Sequence, residues 1–189
     1  GRNGGQLGSG QRAEQDTLEK LVGESDAMKL WHLAEEAKDL VKYLISKHNI
    51  DCSLKPGIAH ACFNAREMQH EHAYVEHLQS RYGYEQIKPL NEAELHAICP
   101  SPLYKGGSLD TGAAHLHPLN YALGLAKACE NAGVTFYENT HVHNIVEGDT
   151  LTIRCDTGRL RAKHLILACN GYLGGLNRRV AGRVMPINN

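Results

Sequence analysis

The sequence lacks the long apolar run that a membrane-spanning segment needs. Its 189 residues contain no stretch of about 18 consecutive apolar residues, and no secretory signal sequence opens the chain. It also lacks an excess of charge, since its formal net charge is −1. The densest basic group, Arg178, Arg179 and Arg183, is interpreted as a solvated edge. We therefore expect a cytoplasmic protein with neither a membrane nor a nucleic-acid partner.

Paired cysteines and metal-binding spacings are absent as well. None of the six cysteines belongs to a C-x-x-C pair, and most lie in apolar stretches, which is typical of reduced core residues. There are 12 histidines, but none forms an H-E-x-x-H motif. His70 and His72 would face about 200° apart on a helix, so they cannot share one ion there. We expect no metal site.

The first half of the chain carries the signals of several helices. Apolar residues recur every three or four positions after Ala27, which predicts a buried helix face, with Ser25 as its cap and Asn49 as its stop. A shorter helix over 11–22 is predicted before it, ending at Gly23. Asn64 and Asn91, each followed three residues later by a glutamate, predict two further helix starts.

The second half changes to the period of strands. Pro118 opens one more predicted helix, which Gly133 closes. Strands are then predicted in the stretches VTFYE (134–138), HVHNIVEG (141–148), LTIRCD (151–156) and RLRAKHLILACNG (159–171). The last stretch ends in the apolar run Leu165–Cys169, which favours a strand covered on both faces.

Glycine is concentrated at the start of the chain, GRNGGQLGSG. Two interpretations stand at this point: an unstructured terminus, or a loop that a ligand approaches closely. The polar residues within it, Arg2, Asn3 and Gln6, differ from those of a glycine-serine linker and favour the loop.

Three separated stretches carry a family resemblance: RNGGQ, then YKGGSLDTGAAHLHPLNYALGLAKACENAGVTFYENTHVHNIV, then LILACNGYLGGL. In this order they resemble the D-amino-acid oxidase superfamily of flavoproteins, and within it the gamma-glutamylputrescine oxidase branch. The resemblance extends over essentially the whole chain. The G-x-G-x-x-G fingerprint that precedes RNGGQ in that family does not occur in this sequence. The resemblance thus implies an internal fragment of a longer polypeptide.

The resemblance implies an α+β fold with a partial FAD-binding lobe, made of a mixed sheet, an antiparallel meander and helices, and a partial substrate lobe. Residues 1–49 would supply the flavin loop and helical part of the FAD-binding lobe. Residues 50–117 would form the partial substrate lobe, and 118–189 the rest of the FAD-binding lobe with the crossover to the substrate lobe. Uncovered sheet edges predict that such a fragment self-associates.

The implied cofactor is FAD, and the resemblance places nine residues beside it. They form a loop that passes the flavin, a strand residue whose backbone pairs with adenine, and a turn that closes over the cofactor: Arg2, Asn3, Gly4, Gly5 and Gln6; Val142; Cys169, Asn170 and Gly171. The turn begins with cysteine where the family usually has another small residue. For Val142, an ordinary strand valine is the alternative.

The implied reaction is oxidation of a small-molecule amine, either gamma-glutamylputrescine-like or a related secondary amine or amino acid, by hydride transfer to flavin, with dioxygen as the final acceptor. No catalytic acid or base is assigned. His115 and His117 either face the active site or serve as a turn residue and a helix cap. The alternative function is a catalytically inert folded fragment that cannot hold FAD, because the fingerprint is missing.

Overall fold

The computed structural model describes residues 3–185 and divides the chain into two compact units, 1–134 and 135–189. The fold class is α+β, as predicted. All the strand pairings described are antiparallel, so the parallel pairing that a mixed sheet requires is not among them. The division at Val134 does not coincide with the predicted boundaries after 49 and 117, and that domain assignment stays a prediction.

The first unit is a sheet of four strands with helices. In chain order its elements are β1 (Gln6–Leu7), α1 (Gln15–Val22), α2 (Glu24–Lys47), β2 (Lys55–Cys62), α3 (Ala65–Tyr82), β3 (Ile87–Asn91), α4 (Glu92–Ile98), β4 (Gly106–His115) and α5 (Pro118–Asn131). Strand β4 is central, because β2 pairs with one of its edges while β3 and β1 pair with successive parts of the other. Two clusters form the core, one around Trp31, Val75 and Tyr84 and the other around Ile45, Ile50 and Cys52.

The helix starts predicted at two asparagines are confirmed. Asn64 accepts a hydrogen bond from the backbone N–H of Glu67, and Asn91 forms a full capping box with Glu94. The starts of the first two helices were predicted wrongly. Helix α1 begins at Gln15 rather than at residue 11, and Ser25 lies inside α2 because Gly23, at φ +84°, is the only residue between the two helices.

The second unit contains the antiparallel meander β5 (Val142–Val146), β6 (Leu151–Cys155) and β7 (Gly158–Ala162). Two short 3-10 turns, Asn170–Tyr172 and Gly174–Leu176, and the helix α6 (Arg178–Ala181) follow it. The predicted strands at 134–138 and at Leu165–Cys169 do not form. Neither segment pairs with any strand in the described residues, and Ile166 is 87% exposed, so the apolar run is not the buried strand that its composition suggested.

The outer edges of β2 and β7 pair with no other strand in the part of the chain that the structure describes. Free edges of this kind present unpaired backbone donors and acceptors. Self-association through them stays a prediction. Within residues 3–185 no helix has the length and apolar composition to cross a membrane.

Helix α1 is joined to α3 through the carboxylate of Glu19. It accepts hydrogen bonds from Tyr82 Oη at 2.7 Å and from His77 Nε2 at 3.0 Å. Burial alone would raise the pKa of Glu19, but these two hydrogen bonds outweigh it and lower the pKa below its ordinary value of 4.5. The ionised carboxylate therefore stabilises the fold.

We predict that Glu19→Gln destabilises the first unit near neutral pH by about 1–2 kcal/mol, since hydrogen bonds to a charged acceptor are weakened. A group whose pKa is lowered in the folded state contributes stability above its unfolded pKa and loses it as the pH falls through the folded value. The difference between the variant and the wild type should thus be smaller at an acidic pH, below the lowered folded pKa of Glu19, than at neutral pH. Denaturant unfolding at both pH values measures it, and an equal difference at the two would contradict this account.

Candidate functional site

The glycine-rich segment near the start of the chain is a structured loop in the residues described. Strand β1 pairs Gln6 with His115 and Leu7 with Ala114 at the end of β4. Just before it, the backbone carbonyl of Gly5 accepts a 2.8 Å hydrogen bond from the N–H of Leu116. The loop is therefore held against the segment that connects β4 to α5. Of the predicted loop residues, Arg2 lies outside the described part of the chain.

The two adjacent glycines of this loop have different surroundings. Gly5 is buried and has φ +70°, and a Cβ built on it would lie 2.0 Å from the backbone oxygen of Leu116. Gly4 is exposed, and a Cβ there would meet no atom within 4 Å. The glycine at position 5 is thus required by the protein's own packing. Of these two adjacent glycines, Gly4 is the one that leaves room for an outside group to approach the backbone, as Gly8 does further along the loop.

Asn3 shapes the turn that contains these glycines. Its side-chain Oδ1 accepts a hydrogen bond from the backbone N–H of Gly5 at 2.8 Å. This asparagine-to-backbone contact spans two residues and is typical of an Asx turn. The side chain of Asn3 therefore helps to set the conformation in which Gly4 faces open space.

The far end of the loop is anchored by a network of polar side chains. Ser9 Oγ lies 2.8 Å from Tyr84 Oη and accepts a 2.8 Å hydrogen bond from Lys38 Nζ. Lys38 also donates to Glu35 Oε2 at 2.6 Å, although its side chain is only 3% exposed. Tyr84 Oη donates in turn to Asp110 Oδ1 at 2.6 Å. The network connects the loop to α2, to the turn before β3 and to β4.

The proton positions in this network follow from the chemistry of its members. Burial raises the pKa of the Tyr84 hydroxyl far above its ordinary value, and donation to Asp110 raises it further, so Tyr84 stays protonated. The single hydroxyl proton of Tyr84 is donated to Asp110. In the contact between Ser9 and Tyr84, Ser9 is therefore the donor, and a lone pair of Ser9 Oγ accepts from Lys38. Asp110 Oδ1 also accepts from the N–H groups of Gly112 and Ala113, each at 3.0 Å.

Sequence reasoning missed this network, although one signal pointed to it. Trp31, Lys38 and Ile45 are seven residues apart and are all buried on one face of α2. A lysine at such a spacing would be buried among apolar residues, which is costly unless its charge is paired. The pattern could have indicated a buried ion pair, but not which distant residues complete it.

The two histidines between β4 and α5 make local contacts. His117 Nδ1 accepts from the backbone N–H of Asn120 at 3.2 Å, and so caps α5 directly before Pro118. His115 Nδ1 lies 3.1 Å from the carbonyl oxygen of Gly57, to which it donates. Both side chains are exposed. The structure therefore favours the cap and turn interpretation of the pair.

The second unit contains the remaining predicted cofactor residues. Val142 begins β5 and pairs with Cys155, and an irregularity in the register follows it. It lines an apolar cavity of about 490 Å³ together with residues of all three meander strands and the run after them, among them Ile153, Leu160 and Ile166. Val142 thus lies beside this cavity; its assignment to adenine stays a prediction, with an ordinary strand valine as the alternative.

The turn predicted at Cys169–Gly171 is present as the start of a 3-10 helix. Tyr172 N–H donates to the carbonyl of Cys169 at 3.0 Å, and Asn170 adopts a left-handed φ of +50°. The next turn, Gly174–Leu176, contacts β5. The chain therefore returns, just beyond Gly171, to the strand that carries Val142. The placement of FAD against this turn stays a prediction.

A second polar cluster lies on the α3 side of the sheet in the first unit. The buried carboxylate of Glu71 accepts from Ser108 Oγ at 2.6 Å and pairs with His60 Nδ1 at 2.7 Å. Ser108 bonds to the carboxylate rather than to His60, so the three do not form a nucleophile-and-base arrangement.

Among the described residues, no three histidine, cysteine, aspartate or glutamate side chains are grouped to hold a metal ion. All six cysteines are free, and Cys52 and Cys62 are buried.

The whole chain is similar to known flavin enzymes. Residues 1–188 match the DAO family, FAD dependent oxidoreductase. The chain is 36% identical to the Probable oxidoreductase OrdL of Rhizobium meliloti (strain 1021), with 99% of this chain and 44% of that protein covered. It is 32% identical to the Gamma-glutamylputrescine oxidoreductase of Escherichia coli (strain K12), with 98% and 44% covered. The chain thus spans less than half the length of these relatives.

A solved structure shares the fold. Glycine oxidase from Geobacillus kaustophilus superposes with a TM-score of 0.71 at 20% sequence identity, and the match covers 93% of this chain and 46% of that one. The α-Glycerophosphate oxidase of Mycoplasma pneumoniae, whose structure holds FAD, superposes with a TM-score of 0.63. At such identities the likeness concerns the fold alone.

Proposed function

The chain belongs to the DAO family of FAD dependent oxidoreductases, and from this we propose that the protein containing it oxidises a small amine, with the loop Asn3–Gln6 lying along the flavin. The observation that carries the proposal is the open space at Gly4, directly beside a glycine that is closed by the protein itself. A flat cofactor ring can approach the backbone where no Cβ intervenes. These residues therefore fit the family's cofactor.

The substrate class rests on similarity rather than on a substrate pocket. The relative with 32% identity is named for gamma-glutamylputrescine, and the oxidase from Geobacillus kaustophilus that shares the fold is named for glycine. Both compounds carry an amine on a carbon that bears hydrogen. We propose a substrate of this class, a secondary or primary amine next to a C–H bond.

The proposed reaction removes two electrons and two protons from the amine. The C–H bond next to nitrogen breaks with loss of a hydride, the nitrogen loses a proton, and the product is an imine. The chemistry that FAD supplies when bound is acceptance of that hydride. Dioxygen then takes up the two electrons and two protons and leaves as hydrogen peroxide. The part of the described residues is to hold the loop in a fixed position.

The alternative is a folded chain that holds no FAD, and the missing G-x-G-x-x-G fingerprint favours it. In dinucleotide-binding folds the pyrophosphate sits at a helix N-terminus that this fingerprint forms. The two functions differ in a property that is easily measured, the uptake of flavin.

We predict that the purified chain, mixed with excess FAD and passed through a gel-filtration column, elutes with the absorbance bands of oxidised flavin. Addition of gamma-glutamylputrescine or glycine without oxygen should then bleach the bands, and readmitted oxygen should restore them. Protein that elutes colourless would contradict flavin binding by this chain and support the inert alternative. Coloured protein that no amine bleaches would contradict the proposed substrate class alone.

A further inference from the structure

We infer that Tyr84, Ser9 and Lys38 act as positioning residues for the flavin loop, here residues 3–10. They fix the end of this loop at Ser9 to the core of the first unit. The inference rests on the proposed function, because it concerns the loop that is proposed to contact FAD. It assigns a role to a buried polar network that neither the family nor the fold assignment explains.

The loop has two anchors with different chemistry. At Gly5 the anchor is backbone packing and a backbone hydrogen bond to Leu116. At Ser9 it is a side-chain hydroxyl held between a buried tyrosine and a buried lysine. Ser9 follows Gly4 by only a few positions, and the short strand β1 lies between them. Without the Ser9 anchor, the segment from Gly4 to Ser9 would be held only at Gly5 and by the two residue pairs of β1.

The residue after Ser9 is fixed as well. Gly10 has φ +68°, and a Cβ there would lie 2.8 Å from the ring of Trp31. Its N–H donates to Glu35 Oε1 at 3.3 Å, and the other oxygen of that carboxylate accepts from Lys38. The chain at 9–10 is thus attached to one ion pair through both residues. This double attachment gives the buried ammonium of Lys38, whose burial costs free energy unless it is paired, a structural role at the loop.

Asp110 connects the same network to the central strand. It accepts from Tyr84 and from two backbone N–H groups at the point where β4 passes from β3 to β1. The strand that pairs with the loop at Gln6 is therefore held by the tyrosine that holds the loop at Ser9. Tyr84 bonds to both Ser9 on the loop and Asp110 on β4, so its hydroxyl is the group to remove in a test.

The test compares three conservative variants of the whole chain. Tyr84→Phe removes the hydroxyl and keeps the ring that packs edge-on against Trp31, and Ser9→Ala removes the partner on the loop. Ser108→Ala is the matched control, because it also deletes a buried hydroxyl that donates to a carboxylate, Glu71, but has no hydrogen bond to the loop. Each variant is measured by amide hydrogen exchange of residues 3–10 without FAD and by FAD titration.

We expect exchange in residues 3–10 to speed up at least about fivefold in Tyr84→Phe and Ser9→Ala, and the Kd for FAD to rise by a similar factor, while Ser108→Ala changes neither by more than about twofold. Unchanged exchange in the two network variants, or the same change in Ser108→Ala, would overturn the inference. The exchange measurement needs no cofactor, so it decides the anchoring even if the wild-type chain takes up no FAD, a result that would overturn only the proposed function.

Discussion

Gly107→Ala is expected to disrupt the sheet of the first unit. Gly107 lies in the pairing between β4 and β2, and a Cβ on it would lie 1.8 Å from the carbonyl oxygen of His60. That oxygen belongs to the backbone of the neighbouring strand, so it cannot move away without breaking the ladder. The carbonyl of Gly107 is also held, by His72 Nε2 at 3.1 Å. We expect a loss at or above the roughly 1–3 kcal/mol of ordinary overpacking.

The measurement is the free energy of unfolding, followed by the fluorescence of Trp31, which lies in the core of that unit. Gly8→Ala is the control, since Gly8 belongs to the same unit, has no left-handed φ, and a Cβ on it would meet no atom within 4 Å. The control should change stability by no more than about 0.5 kcal/mol. A stable, cooperatively unfolding Gly107→Ala protein would contradict the register that pairs Gly107 with Ala61.

The parts of the fold that could be predicted from the sequence are governed by neighbouring residues. The caps at Asn64 and Asn91 are examples, because a side chain that bonds a backbone N–H three residues away is already present in the sequence order. Gly83, in a left-handed conformation after α3, and Pro118 at the start of α5 are of the same kind. The turn between β6 and β7 likewise follows from its own residues.

The predictions that failed depended on distant partners. The run Leu165–Cys169 has the composition of a strand buried on both faces, but a strand exists only where another strand offers its backbone. No strand in the described residues pairs with this run. The segment at 134–138 failed for the same reason. Composition indicates which secondary structure a segment favours, but a strand forms only where another strand pairs with it.

For the candidate site, the sequence indicated the region but not the division of roles within it. Gly4 and Gly5 are equivalent in sequence patterns, since both are glycines in one short loop. Their difference arises from Leu116, far along the chain, whose carbonyl fills the space beside Gly5 alone. The same holds for Ser9, which is unremarkable in sequence and is bonded to Tyr84, 75 residues away.

Gly5→Ala and Gly4→Ala are expected to have different effects: the first should lower the stability of the fold, and the second should weaken FAD binding. Comparing the two variants therefore separates folding from cofactor binding. In Gly5→Ala the left-handed backbone costs about 1–2 kcal/mol, and the contact with Leu116 adds about 1–3 kcal/mol of overpacking. Relief by movement would break the hydrogen bond between Leu116 N–H and Gly5. We expect this variant to lose most of the stability of the first unit.

Gly4→Ala should instead leave folding intact, because Gly4 is not among the glycines with left-handed φ and its Cβ would point into open space. If the flavin approaches the loop there, the added methyl group occupies the room that the cofactor needs, and the Kd for FAD should rise at least about tenfold. Unfolding curves and FAD titrations of both variants measure the two effects.

A Gly4→Ala chain that binds FAD as tightly as the wild type would place the flavin elsewhere, and the open space at Gly4 would then carry no function. A stable Gly5→Ala chain would mean that the loop does not pack on Leu116. Only the combination of a destabilised Gly5 variant and a stable, weakly binding Gly4 variant fits a loop in which one glycine serves the fold and its neighbour serves the cofactor.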